Sequence, residues 1–65
     1  MEHRFILITA AKNEQDYIAI AMESVVRQTQ RPIAWFIMDD GSTDRTADIV
    51  KEYSERYPFI HLVSA

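Results

Sequence analysis

The sequence predicts an α/β domain with the element order β-α-β-α-β and a three-stranded parallel sheet. Three observations carry that reading. Two runs, 5–11 and 33–38, are apolar without alternation, the pattern of parallel strands covered on both faces. The stretch after each run repeats apolar residues at helical spacing, long enough for the crossover that parallel strands require. The second run drops directly into Asp39-Asp40 and then Gly41, the chain's only glycine. That is a buried strand reaching its carboxyl end, turning and feeding a helix. In open α/β sheets this edge is where ligands bind.

Bulk properties narrow the class further. At 65 residues the chain is at most one small domain, whose core is marginal without a staple or partner. It has no cysteine, so it forms no disulfide and no thiolate metal site. A hydrophobic content of 48% argues against disorder. The net charge is −3 with no basic block, which argues against a nucleic-acid partner. Neither apolar run is long enough to span a bilayer. Met1-Glu2-His3-Arg4 does not open a signal peptide, because the apolar run after it is short and passes into Lys12-Asn13-Glu14.

Taken in order, the spacing predicts strands at about 5–10, 33–38 and 59–63 and helices at about 14–28 and 43–57. Asn13 is the candidate cap of the first helix, echoed by Asp16 three residues on. Ile18, Ala21, Met22 and Val25 form its core stripe, widened by Tyr17 and Val26. Glu23 and Arg27 make an i,i+4 pair on a neighbouring face. Pro32 prevents any continuation. After Gly41, Ser42 or Thr43 caps the second helix with Asp44 in its first turn. Thr46, Ile49, Val50, Tyr53 and Tyr57 mark its buried side; Asp48, Lys51, Glu52, Glu55 and Arg56 mark its wet side. His61 alternates with apolar neighbours and points outward, and His3 is uninformative.

Right-handed crossovers laid down in one direction give the sheet order 3-2-1 with both helices on one face. The other face then has no cover, although strands one and two read as buried on both sides. The expectation is that residues 1–65 are the amino-terminal part of something larger, or that the chain self-associates through the helix-free face or the strand-one edge.

The ordered motifs resemble family 2 glycosyltransferases. Ala10-Ala11-Lys12-Asn13-Glu14 resembles the family's Pro-Ala-Tyr-Asn-Glu opening, with Tyr17-Ile18 at the usual distance. Ser24-Val25-Val26-Arg27-Gln28-Thr29 resembles its Ser-Leu-Leu-x-Gln-Thr helix ending. Asp39-Asp40-Gly41-Ser42-Thr43-Asp44 matches its Asp-Asp-Gly-Ser-Thr-Asp segment residue for residue. The resemblance implies a GT-A, Rossmann-like fold, of which this chain is the amino-terminal part. It also implies transfer of a sugar, with inversion, from a nucleotide-sugar donor, UDP-linked in the reading adopted here. By position, Ala10, Lys12, Glu14, Met38 and Asp40 would meet the nucleoside. Asp40 would accept from the uracil imide N–H and Glu14 would sit near the ribose, since an ionised carboxylate only accepts. Ala10 stands where proline is usual, and Lys12 where an aromatic often packs on the base.

In the family a divalent metal, Mg or Mn, is held by an Asp-x-Asp motif that does not occur in this sequence. The resemblance therefore implies metal for the full-length enzyme, none bound by these residues, and no turnover by them alone. It further implies a cytoplasmic location, with membrane contact only through other segments. The residues by themselves leave plainer readings open. Asp39-Asp40 can be a solvated strand end, with Asp39 accepting N–H groups at the turn, and Glu14 can be a first-turn charge. Two other families carry acidic pairs. The haloacid dehalogenase type needs Asp-x-Asp after its first strand, and a response-regulator receiver needs its pair there and a further Asp after the third; neither spacing holds. A non-catalytic nucleotide-binding or self-associating fragment stays open as the alternative.

Overall fold

The computed structural model describes residues 4–64; Met1, Glu2, His3 and Ala65, and with them the readings made of the chain's start and of His3, lie outside the described residues. The elements run β1 (Ile6–Ala11), α1 (Gln15–Val26), β2 (Ala34–Asp39), α2 (Thr46–Arg56) and β3 (Ile60–Ser64). Both strand pairs are parallel and the sheet order is β1-β2-β3, which is 3-2-1 counted from the opposite edge. In register, Ile8 faces Phe36 and Phe36 faces His61; one step on, Ala10 faces Met38 and Met38 faces Val63.

Side chains alternate across each strand, so the sheet has two unlike faces. One carries Ala11, Trp35, Ile37 and Ile60, all buried beneath Ile18, Met22 and Val26 of α1 and Val50 and Tyr53 of α2. Both helices therefore cover the same face. Met22, Ile37 and Val50 are wholly removed from water, each contributing about 1.5–3 kcal/mol of transfer free energy. The Trp35 indole N–H donates to Thr9 Oγ1 at 3.0 Å, so the ring is buried with its polar atom satisfied.

The helix-free face is open, as expected from two crossovers of the same hand, although the apolar runs read as suited to burial on both sides. Ile8 is 67% exposed, Ile6 56% and Met38 46%. Phe36 lies on this face, stacked on His61 with ring centroids 5.0 Å apart. Continuous apolar strands announce that both faces suit burial. What covers the second face is not encoded in their periodicity.

Three other expectations are corrected. Ala21 and Tyr17 are exposed, and Val26 rather than Ala21 belongs to the core, because the buried line on α1 follows strict i,i+4 steps through Ile18, Met22 and Val26. Asn13 does not cap α1: the N-cap position is Glu14 and no side chain bonds the helix's first turn from there. Ser42 and Thr43 do not cap α2, which starts only at Thr46 with Arg45 at the N-cap. The far end of α1 is closed by Arg31, whose guanidinium donates to the Val26 carbonyl at 2.6 and 2.9 Å and lies over the Tyr57 and Phe59 rings.

Gly41 turns the chain at the end of β2 with φ +71°, and a Cβ placed there would meet no atom within 4 Å. The cost of a side chain is therefore conformational and not steric. Gly41→Ala should lower stability by about 1–2 kcal/mol, and Gly41→Asn by less, because asparagine tolerates the left-handed region. Denaturant midpoints of the two variants measure this; equal losses, or none, would contradict it.

Candidate functional site

β1 and β2 finish side by side. Ala11 pairs with Asp39, and the Asp40 N–H donates to the Ala11 carbonyl at 3.1 Å. The loops that follow both strands thus leave the same sheet edge as neighbours. They are tied together by bonds that span about thirty residues of sequence. The Asn13 N–H donates to Ser42 Oγ at 3.0 Å, and the Thr43 N–H donates to Asn13 Oδ1 at 2.8 Å. The Glu14 N–H donates to Thr46 Oγ1 at 2.7 Å. The Gln15 N–H donates to Asp44 Oδ2 at 3.2 Å, and the Arg45 N–H donates back to Gln15 Oε1 at 3.0 Å. A helix leaves its first N–H groups without internal partners. Here each helix start is capped by side chains of the other.

The acidic pair is divided by this frame. Asp39 is 7% exposed, and its carboxylate accepts from the Ser42 N–H at 3.3 Å and from the Ser42 hydroxyl. It holds the turn, as one sequence reading had it. Asp40 is exposed, and no hydrogen bond or ion pair from another described residue reaches its carboxylate. Lys12 is likewise exposed with no partner for its ammonium among the described residues. Glu14 commits its backbone to the fold, its N–H to Thr46 and its carbonyl to Tyr17 and Ile18, while its carboxylate stays exposed. Ala10 and Met38 are register partners on the helix-free face, one step back from the edge. The structure thus gathers Lys12, Glu14 and Asp40 at one edge and sets Ala10 and Met38 beside each other on the open face behind it.

Sequence reasoning missed the residues that build the frame. The sequence places Thr46 on the buried side of α2, as the structure does, but gives no sign of its partners: the hydroxyl is fully buried, accepting from the Glu14 N–H and donating to Asp44 Oδ1 at 2.6 Å. Gln15 carried no signal at all. Shallow hollows of the surface lie elsewhere, one along the outer side of α1 at Ile20, Ser24 and Arg27 and one at Phe5, Gln28 and Gln30.

No three His, Cys, Asp or Glu side chains among the described residues are placed around one point. Ser42 bonds Asp39 and Thr46 bonds Asp44, whereas no described residue bonds the Asp40 carboxylate. No helix among them is long and apolar enough to cross a membrane.

Comparison with known proteins gives a consistent picture. The sequence profile of glycosyl transferase family 2 matches residues 6–65. The chain is 34% identical over 61 residues to the uncharacterized glycosyltransferase YibD of Escherichia coli K12, covering 94% of this chain and 18% of that protein. It is 39% identical over 57 residues to TuaG of Bacillus subtilis, described as a putative teichuronic acid biosynthesis glycosyltransferase, covering 88% and 23%. It is 31% identical over 55 residues to the glycosyltransferase GlyA of Streptococcus pneumoniae, covering 85% and 8%. The chain therefore spans less than a quarter of the length of these relatives. No solved structure matches it significantly.

The frame has a titration signature at Asp44. The hydrogen bond from the Thr46 hydroxyl, with further backbone bonds, holds its carboxyl below the ordinary value of 3.8. A folded pKa below the unfolded one stabilises the fold only while the group is ionised. That contribution is complete above the unfolded value and fades as pH falls through the lowered folded value. The stability difference between the wild type and Asp44→Asn should be largest above about pH 5 and shrink on acidification below the ordinary carboxylate range. Thermal melts of both proteins across that range check it; a difference independent of pH would show that ionised Asp44 does not tie the loops.

Proposed function

The chain belongs to glycosyl transferase family 2, and from that premise we propose that it forms the nucleoside-binding part of an inverting transferase using a UDP-linked sugar. One observation supports this reading above the others. At the carboxyl edge of the sheet most polar side chains of the two loops are bonded to one another, and the loop residues left unengaged between the strand ends and the helix starts match the family's nucleoside-binding positions. These are Lys12, Glu14 and Asp40. The edge is also rich in carboxylates, with Glu14, Asp16, Asp39, Asp40 and Asp44 against Lys12 and Arg45. Such a surface attracts hydrogen-bond donors and repels a diphosphate. It suits the donor face of a nucleoside, the imide N–H and the ribose hydroxyls.

In this reading Asp40 accepts from the uracil imide and Glu14 from a ribose hydroxyl. Lys12 lays its aliphatic stem where the family has an aromatic ring, and Ala10 and Met38 contribute shape. The diphosphate and its divalent metal, Mg or Mn, belong to other parts of the transferase, and none of the described residues is assigned the catalytic base. A cytoplasmic location is proposed on the resemblance alone.

A second reading, a non-catalytic module that self-associates, is favoured by one specific observation: Ile6, Ile8, Phe36 and Met38 leave an apolar sheet face in water. Light scattering combined with a UDP titration separates the two. A monomer that binds UDP supports the first, and an oligomer silent to UDP and to UDP-sugars supports the second.

The site assignment makes a sharper demand. Asp40→Asn keeps the side-chain size but turns half of the acceptor edge into a donor facing the base N–H. It should weaken UDP binding by about 1–3 kcal/mol with little loss of stability. Asp39→Asn should do the reverse, destabilising the turn that Ser42 closes. Calorimetric titration beside thermal unfolding tests both variants, and unchanged UDP affinity in Asp40→Asn removes Asp40 from the site.

A further inference from the structure

Asn13 is the one non-glycine residue among those described with a positive φ, +52°. It stands between Lys12 and Glu14, is exposed, and does not cap its own helix. Its three bonds all go to the turn that follows Asp40. Oδ1 accepts from the Thr43 N–H at 2.8 Å and from the Thr43 hydroxyl at 3.3 Å, and the Asn13 N–H donates to Ser42 Oγ at 3.0 Å. Ser42 in turn is bonded to the buried Asp39. Asp40 is thus held from the front by its own N–H on Ala11, while immediately behind it lies Gly41, the most permissive backbone position in the chain.

Building on the nucleoside site proposed above, we infer that Asn13 is a positioning residue for it, fixing the Gly41 turn against the β1–α1 loop so that Asp40 stands at a set distance from Lys12 and Glu14. A purely structural role fits these contacts less well. An exposed side chain removes little apolar surface from water, and the helix beside it gains no cap. What its bonds do fix is the spacing of the two loops that carry unengaged groups. Asparagine suits the position because it accepts through a short side chain and tolerates the left-handed region at little cost.

Two substitutions separate backbone conformation from the hydrogen bond. Asn13→Gly keeps the positive φ accessible and removes the acceptor. Asn13→Asp keeps both. Calorimetric titration of the whole chain with UDP should show Asn13→Gly weakened about tenfold, the equivalent of one or two lost hydrogen bonds. Asn13→Asp should recover to within about threefold of wild type, a rescue that a general loss of stability would not produce. Hydrogen exchange of the wild type needs no variant: UDP should slow exchange at Ser42 and Thr43 together with the 12–14 loop. Equal affinity in wild type and Asn13→Gly, no recovery in Asn13→Asp, or slowing confined to one loop would each overturn the inference and leave the nucleoside site standing. A wild type silent to UDP would overturn the nucleoside reading itself, and this inference with it.

Discussion

A buried threonine hydroxyl holds the carboxyl edge of the sheet together. Thr46 Oγ1 has no access to water, so each of its bonding capacities must be met inside the protein. It accepts from the Glu14 N–H at the start of α1 and donates to Asp44 just ahead of α2. Losing either partner would strand a buried polar group or an orphaned helix N–H, each a cost of about 1–3 kcal/mol. The pairing therefore fixes two helix starts, and with them two strand-end loops, in one arrangement. The hydrophobic core beneath sets which layer lies on which. The polar frame sets where individual side chains stand.

The sheet edge makes a division of labour visible. Asn13, Gln15, Ser42, Thr43, Asp44 and Thr46 make bonds across the two loops and Asp39 bonds Ser42 within its own turn, while the side chains of Asp40, Lys12 and Glu14 do neither. Polar groups turned inward bring rigidity, because their geometry is over-determined by mutual bonds. Groups left facing water stay hydrated and exchangeable, which is what recognition of a ligand requires. The match to family 2 and the geometry meet here, since the motif that identifies the family supplies both kinds of group. Asp39 and Asp40, adjacent in sequence, are placed oppositely: one buried and bonded to Ser42, the other exposed.

The legible part of the fold was the part written in local periodicity. The apolar runs gave the strands, Gly41 gave the turn, and the stripe through Val50 and Tyr53 gave the face of α2. The illegible part was long-range. Asn13, Ser42 and Thr43 are good helix caps by residue type, and nothing within a few positions of them shows that their partners lie about thirty residues away. Arg31 gave no signal either, although it closes α1 and covers Tyr57 and Phe59. On α1 the stripe was drawn too wide: it held the buried Ile18, Met22 and Val26 and the partly buried Val25, but also Tyr17 and Ala21, which are exposed. A helix apolar on several sides does not announce which line faces the sheet. Of the candidate site, the residues were legible from the family motif. Their freedom from internal partners was not, because that depends on what their neighbours bond to.

The register of β2 is the remaining link between fold and site. Strand side chains alternate with a period of two, so Ile37 and Asp39 go beneath the helices while Met38 faces the open side. Moving β2 by a single residue would exchange those sets, setting Asp40 against the core and Asp39 in solvent. Packing opposes the slip: Trp35 and Ile37 fill the helix-covered side, and Ala34 and Phe36 differ from them in volume and shape. Packing against two apolar side chains on β2 therefore decides which of two adjacent carboxylates reaches the solvent. The chemistry available at the sheet edge is fixed several residues upstream of it, in the core.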